Sequence, residues 1–325
     1  FTNPDIIAPG IDYFEDENNL DPGMFYTYDV IVTNYYNESS VGSDVGFINP
    51  NGKILGRVTS TTGNPVADVE ISLSPTLGNA LEFDGVSDYL EVGGSNDLGI
   101  TDEITIEAWV FVDSTITESR IGNIIGNYNH SESFNLEGYT NGRVRFYWNM
   151  GDVNIYSTGF DMRDSQWHHI AAVRSSTENT ISLYIDGQLN NETTAGSNIN
   201  PSWPLRIGDD FRSGDSPGIP FNGKLDDIRI WSVALDSGLI NRNMNRTLSG
   251  SETGLLAYWK FDEGNNDYIF DMTEFDNDGR VFGATWTNII PEINVSGFTD
   301  DDGNYEVSGI FYGTGTTFTV SPSKP

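Results

Sequence analysis

The sequence predicts an all-β protein made of tandem β-sandwiches. Glycine accounts for 35 of 325 residues, aromatic residues make up 12%, and long helical periodicities are scarce. Ile104, Ile106, Ala108 and Val110 alternate with Glu103, Thr105, Glu107 and Trp109, a period of two. Glycine-rich turns between short strands, and strands that bury one face, produce this mixture. The length suffices for two or three domains with a sizeable core.

The first element is a strand in residues 1–49. A turn at Asp21-Pro22-Gly23 precedes alternation through Tyr26, Tyr28, Val30 and Val32. The stretch resembles the last strands of a fibronectin type III domain, with its turn and tyrosine corner. Half a sandwich cannot bury its sheet, so the chain is expected to be part of a longer one, and its abrupt start at Phe1-Thr2-Asn3-Pro4 agrees.

The second element begins at "GKILGRVTSTTGNPVADVEISLSP", with a turn at Thr62-Gly63-Asn64-Pro65 and Val69, Ile71 and Leu73 on one strand face. It resembles the opening of a carboxypeptidase-regulatory-like, transthyretin-like sandwich. The D-x-x-G-x-Y hairpin that follows in that family arrives only at "GFTDDDGNYEVSGIFYG", some 220 residues later. The resemblance therefore implies a split host, 50–77 and 289–325, interrupted by a guest at 78–288; insertion at an exposed hairpin is tolerated when the guest's ends lie close together. The run Asp300-Asp301-Asp302-Gly303 is expected to be a plain hairpin turn.

Within the guest, "ALEFDGVSDYLEV", "EITIEAWVF", "QWHHIAAVR", "ISLYIDGQL", "LRIGDD", "FNGKLDDIRIWSVAL" and "LLAYWKFDEG" follow in order. Together they resemble the bacterial laminin-G-like, concanavalin A-like family. That resemblance implies a jelly-roll of two antiparallel sheets, nested in the smaller transthyretin-like sandwich. One helix is expected in 235–246, with Leu239, Ile240 and Met244 as its apolar stripe.

Composition narrows the function. Cysteine is absent, which excludes disulfides, thiolate metal sites and a cysteine nucleophile. No apolar run approaches the roughly 20 residues of a membrane helix, so no membrane insertion is expected in this segment. Forty-eight acidic residues against 16 basic ones give a formal charge of −32, which repels nucleic acid and anionic membranes. Such acidity serves solubility in salt, and it also suits Ca²⁺, which takes 6–8 oxygen ligands.

Adjacent histidines at 168 and 169 raise the possibility of a metal or acid/base site. On a strand they point to opposite faces and do not chelate one ion together; both are expected to be packed, hydrogen-bonded framework residues. Glycoside hydrolases with concanavalin A-like sandwiches carry paired carboxylates around a central Asp. The nearest match here, Glu103 and Glu107 flanking Thr105, lacks that Asp, and no catalytic residue is assigned.

Calcium is expected, at one of two places. By its resemblance to laminin-G and pentraxin folds, one loop end nominates Asn127 and Asn129 with Asp209, Asp210 and Asp215. The junction of first and last strands offers Asp84 and Asp88, Asp226 and Asp227, and Asp271, Asp276 and Asp278; the place around Asp84 and Asp226 is slightly favoured, because an ion there would tie the first and last strands, and the alternative is that Asp84 and Asp278 only precede turn glycines. For ligand binding, Val144, Phe146 and Trp148 alternate with Arg143, Arg145 and Tyr147, one face for the core and one for a sugar, with Tyr128 and Trp203 as stacking platforms in loops. These features imply an extracellular, secreted or cell-surface bacterial segment that binds glycans or another surface protein. Two alternatives stand: an accessory region of a secreted polysaccharide-degrading enzyme, or a spacer in a surface filament.

Overall fold

A computed structural model describes residues 25–33, 39–47, 52–74, 78–92, 98, 100, 102–126, 133–149, 153–199, 205–210, 218–264, 267–293, 296–310 and 319–323. The chain starts with an antiparallel hairpin of β1 (Phe25–Thr33) and β2 (Ser39–Phe47). The Asp21-Pro22-Gly23 turn lies outside the described residues.

Two strands follow, β3 (Gly52–Arg57) and β4 (Glu70–Ser74). The central unit then contributes β5 (Ala80–Asp84), β6 (Tyr89–Val92), β7 (Ile104–Phe111), β8 (Gly122–Gly126), β9 (Phe134–Gly138), β10 (Val144–Trp148) and β11 (Val153–Tyr156). It continues with β12 (Trp167–Ser175), β13 (Thr180–Ile185), β14 (Gln188–Thr194), β15 (Leu205–Ile207), β16 (Asn222–Trp231), helix α1 (Ser237–Met244) and β17 (Leu255–Trp259). The last strands are β18 (Tyr268–Ile269), β19 (Gly279–Phe282), β20 (Thr285–Thr287), β21 (Ser296–Phe298), β22 (Asn304–Ile310) and β23 (Thr319–Ser323).

The sequence ends of this list pair across the whole central unit. β3 pairs with β22, and β4 lies between β21 and β23. Val69, Ile71, Leu73 and Val307 make a small core of their own. Thr299 ties the two halves: its hydroxyl donates to the Val66 carbonyl (2.7 Å) and accepts from the Val69 N–H (3.0 Å). The turn before β22 closes on Asp300, whose Oδ1 accepts from the N–H groups of Asp302 (3.0 Å) and Asn304 (2.8 Å), with Gly303 at φ +75. Left-handed backbone is cheap only for glycine there.

The central unit is a sandwich of two antiparallel sheets. One runs β11-β10-β9-β8-β15-β6-β19-β18; the other runs β14-β13-β12-β7-β16-β5-β20, with β17 also on β16. Alternation fixes what each strand buries: Ile104, Ile106, Ala108 and Val110 of β7 enter the inter-sheet core, which Phe83, Phe134, Phe146, Trp148 and Trp259 complete.

The opposite side of β7 and β12 is not solvated. Ala171, Val173, Trp231, Leu235, Ile240, Leu248 and Tyr258 form a second apolar cluster under α1. Asp236 caps the helix, accepting from the Leu239 N–H at 2.8 Å. The expected stripe needs correction: Ile240 and Asn243 are the buried residues, Met244 is half-buried, and Leu239 is 42% exposed. The helix docks by one apolar residue and an amide rather than by a wide stripe.

Candidate binding face

The strand β10 gives the face its start. Val144, Phe146 and Trp148 are in the core, so Arg143, Arg145 and Tyr147 belong to the outer side of the eight-stranded sheet. Register then extends Tyr147 into a row across all eight strands. Tyr147 lies between Asn154 and Asn135, and Asn135 lies opposite Gly126. Gly126 faces Arg206, followed by Glu91, Arg280 and Tyr268. No aliphatic side chain occurs in this row. A second row beside it holds Tyr156, Arg145, Glu137 and Asn123.

Gly126 has a steric reason to be glycine. A Cβ there would meet the Asn135 amide oxygen and the Phe134 carbonyl at contact distances no side chain tolerates. The Asn135 side chain therefore lies across the middle of the row.

Charge on this face is organised around Glu137, which is fully buried. Arg120 donates to both of its carboxylate oxygens (2.9 and 2.8 Å), and Arg145 pairs with it from the other side. Burial disfavours the charge on Arg145, but Glu137 and the Tyr156 hydroxyl outweigh it and raise its pKa. The guanidiniums also stack on rings: Arg145 lies 4.5 Å from the centroid of Tyr139, Arg143 5.0 Å from that of Tyr156. At the far end Arg206 pairs with Glu91 (2.7 Å) over the ring of Tyr89, which stacks on Phe282. Asn123 Oδ1, Asn135 Oδ1 and the Ser133 hydroxyl are buried without a hydrogen-bond partner among the described residues.

Sequence reading located Arg143, Arg145 and Tyr147; Tyr128 and Trp203 lie outside the described residues. It missed Arg120, Glu137, Tyr139, Tyr156, Arg206 and Arg280. Glu137, Tyr156, Arg206 and Arg280 sit in strands and Arg120 and Tyr139 beside strand ends, and strand pairing aligns them.

The acidic residues fall into separate places. Among the described residues no three carboxylates or imidazoles converge as metal ligands. Asp84 accepts from the Val86 N–H, and Asp88 accepts from the Asp84 N–H, a closed turn. Asp226 pairs four residues along β16 from Asn222, the partner of Asp84; at about 3.3 Å per residue that is roughly 13 Å. Burial raises the Asp226 pKa well above the carboxylate range, with Asp227 and Asp262 adding to it. Asp227 pairs with Arg229 (2.6 Å).

Asp271 is a hydrogen-bond hub: its oxygens accept from the N–H groups of Tyr258, Thr273 and Asn277, the Thr273 hydroxyl and the Asn277 amide. Asp278 accepts from the Asp271 N–H, and Asp276 is exposed in a turn. At the other expected site, Asp209 and Asp210 are buried and adjacent, while Asn127, Asn129 and Asp215 lie outside the described residues. Burial raises the Asp209 pKa, and Asp210 adds to the shift. Asn123 donates to the Asp209 carbonyl (2.6 Å), and its own amide oxygen is the unpartnered one. This all-oxygen donor set fits a hard cation such as Ca²⁺.

The histidines divide as the strand requires. His168 stands between Asp186 (2.8 Å) and Asp164 (3.0 Å) with Phe160 edge-on. The Asp186 hydrogen bond leads in raising its pKa, against the opposing effect of burial. His169 is buried beside Trp109 and 3.6 Å from Glu107. Contrary to expectation its ring nitrogens have no hydrogen bond among the described residues. Burial, then the Arg229 charge, pushes its pKa down to about 3, so the imidazole is neutral and its approach to Glu107 is not an ion pair.

Glu107 accepts from the Trp231 indole (2.7 Å), and burial raises its pKa. Arg229 donates to the carbonyls of Asn243 (2.9 Å) and Arg246 (2.8 Å), where a cation complements the end of α1. Glu103 and Glu107 do not face a common cleft: Glu103 accepts from the hydroxyls of Ser176 and Thr177, and Glu107 is sealed under the helix.

With this geometry in place, residues 84–241 match a laminin G domain model described as the concanavalin A-like lectin/glucanases superfamily. The central unit has the concanavalin A-like lectin fold. A Bacteroides ovatus protein described as carbohydrate-binding has a similar structure, with TM-score 0.55 and 20% identity over 83% of this chain and 70% of that one. Domains LG4-5 of the mouse laminin α1 chain give TM-score 0.37 and 20% identity, covering 49% and 44% of the two chains. A curated relative, the non-toxic nonhemagglutinin of Paraclostridium bifermentans, is 28% identical over 151 residues, 41% of this chain. The match spans 12% of that relative.

Proposed function

We propose that this chain is a non-catalytic glycan-binding segment and that the outer face of the β11–β18 sheet is its binding surface. The observation that carries the reading is the row across all eight strands, which is polar, aromatic and glycine-floored from Asn154 to Tyr268. Sugars present hydroxyls and apolar ring faces together. Arg and Asn side chains hydrogen-bond the first, and tyrosine rings pack on the second. The fold shared with a protein described as carbohydrate-binding agrees. On the opposite sheet the cluster under α1 covers the outer side of β12, β16 and β17 at Ala171, Val173, Trp231 and Tyr258.

The experiment is affinity electrophoresis or calorimetry against a polysaccharide panel, with Tyr147→Ala and Arg143→Gln. Retardation by at least one polysaccharide that both substitutions reduce, with circular dichroism unchanged, is expected. A spacer would bind none of them.

Around this reading we place the chain outside the cell, in adhesion or glycan capture as part of a longer surface protein. The strands β3, β4 and β21–β23 are assigned to a carboxypeptidase-regulatory-like host, 50–77 and 289–325, with the guest at 78–288 and a fibronectin type III-like piece before them. Calcium is assigned to the Asp209–Asp210 end, where Asp209, Asp210 and Asn123 would hold it and the bound ion would neutralise the buried carboxylates.

A further inference from the structure

We infer that the saccharide bound by this face is acidic, carrying carboxylate or sulphate groups, and that it lies across the strands rather than end-on in one pocket; this rests on the glycan-binding reading above. Five of the chain's sixteen basic residues (Arg120, Arg143, Arg145, Arg206 and Arg280) stand on this face. Their carboxylate partners on it are two, Glu137 and Glu91. Among the described residues, five guanidiniums with two carboxylate partners leave three without a carboxylate of their own, in a chain whose net charge is −32. The imbalance is localised: Arg120 and Arg145 share one carboxylate, and Arg143 and Arg280 have no carboxylate partner among the described residues.

A chain that needed only solubility would not gather unpaired guanidiniums on one sheet face. Arginine offers a planar fork of donors that matches carboxylate and sulphate geometry. The acidic remainder of the surface repels the same anions, so the field directs them to this face.

The spacing sets the reach. Arg143 precedes β10 and Arg280 is on β19, five strand steps away in the sheet order. At about 4.8 Å per step, and four residues along the strand from the row that holds Arg280, they are roughly 27 Å apart. No monosaccharide bridges that distance, whereas an extended acidic oligosaccharide running obliquely over the face, above the buried Tyr147, Asn135 and Gly126, reaches both. Tyr139, the buried Tyr147 and Tyr156 at one end and Tyr89, Phe282 and Tyr268 at the other are the rings on which these guanidiniums stack, which holds the donor forks in place.

Calorimetry on the whole chain tests this with three probes of similar length: an oligogalacturonate, a sulphated carrageenan oligosaccharide and a neutral galactan oligosaccharide. One acidic probe should bind about tenfold or more tighter than the neutral one, and which does so separates carboxylate from sulphate. Its affinity should fall as NaCl rises from about 50 to about 500 mM. The double variant Arg143→Gln/Arg280→Gln should lose about tenfold or more for that probe, the scale of two charge-assisted hydrogen bonds. Arg242→Gln on the exposed side of α1 should change nothing, which controls for net charge. Equal affinity for neutral and acidic probes overturns the inference and leaves the glycan-binding reading standing. Binding of none, with none in the wider panel, overturns both.

Discussion

His169 gives a measurable consequence of burying an imidazole without a partner. Its pKa is pushed down to about 3 by burial and by the Arg229 charge, against an ordinary 6.5. In the unfolded chain the ring takes up a proton as pH falls below 6.5; in the folded chain it does not until near 3. The unfolded state then binds more protons, so stability is lost as pH drops through that window. From pH 7 to pH 5 the loss works out at about 2 kcal/mol, within a ceiling of about 5 kcal/mol over the whole window. The perturbation is His169→Phe, which keeps a ring beside Trp109 and removes no hydrogen bond, because the imidazole nitrogens make none. Its absolute stability reflects repacking of a larger ring, about 1–3 kcal/mol, so the informative quantity is the difference between wild type and variant at each pH. Equilibrium urea unfolding followed by tryptophan fluorescence measures it. The variant should gain about 2 kcal/mol on the wild type between pH 7 and pH 5. Parallel profiles would show that the folded chain protonates the ring as readily as the unfolded one, and a wild type that gains on the variant would show it paired with Glu107; either refutes the reasoning.

Glu263 titrates in the opposite sense: burial pushes its pKa up to about 8, so the folded protein holds a proton that the unfolded chain releases above 4.5, and stability falls as pH rises between those values. Glu263→Gln should remove that decline and gain about 2–3 kcal/mol on the wild type from pH 5 to pH 7, read by the same urea titrations; an unchanged difference would refute it. Thermal unfolding with Ca²⁺ and with EGTA tests the Asp209–Asp210 assignment. A hundredfold excess over Kd should add about 2.7 kcal/mol, and Asp209→Ala should abolish the shift; a wild-type midpoint indifferent to chelator removes calcium from the reading.

What the sequence disclosed, it disclosed strand by strand. The alternation in Ile104–Val110 assigned β7's core side, and the split hairpin pattern pointed to strands that pair across more than 200 residues, as β4 and β21 do. Arg143, Arg145 and Tyr147 were legible because one strand suffices to place them. Glu91 and Arg280 were not: 189 residues separate them, and their adjacency is a property of register between non-consecutive strands. The acidic "DMTEFDNDG" stretch is ambiguous for a related reason. Oxygen donors at alternating positions suit a cation, but they equally suit N–H donors from the chain itself, and Asp271 spends both oxygens on Tyr258, Thr273 and Asn277. Local composition does not distinguish a carboxylate that awaits an ion from one already satisfied. The helix shows the same limit at smaller scale, since Leu239 fits an apolar stripe on a wheel but not the surface α1 meets.

The proposed binding face and the buried His169–Glu107–Arg229 cluster are separated by the sandwich core, and that separation has its own consequence. Stacked sheets lie about 10 Å apart, and sites further apart than about 7–10 Å without shared partners add independently. His169, Glu107 and Arg229 share partners with each other and with α1, whereas Arg143, Arg145 and Glu137 share theirs across β8–β11. Arg143→Gln should therefore change ligand affinity and leave the wild-type minus His169→Phe pH difference where it was, within about 0.5 kcal/mol. A larger change would mean that the core transmits charge or strain between the sheets. The binding face could not then be described without the buried cluster behind it.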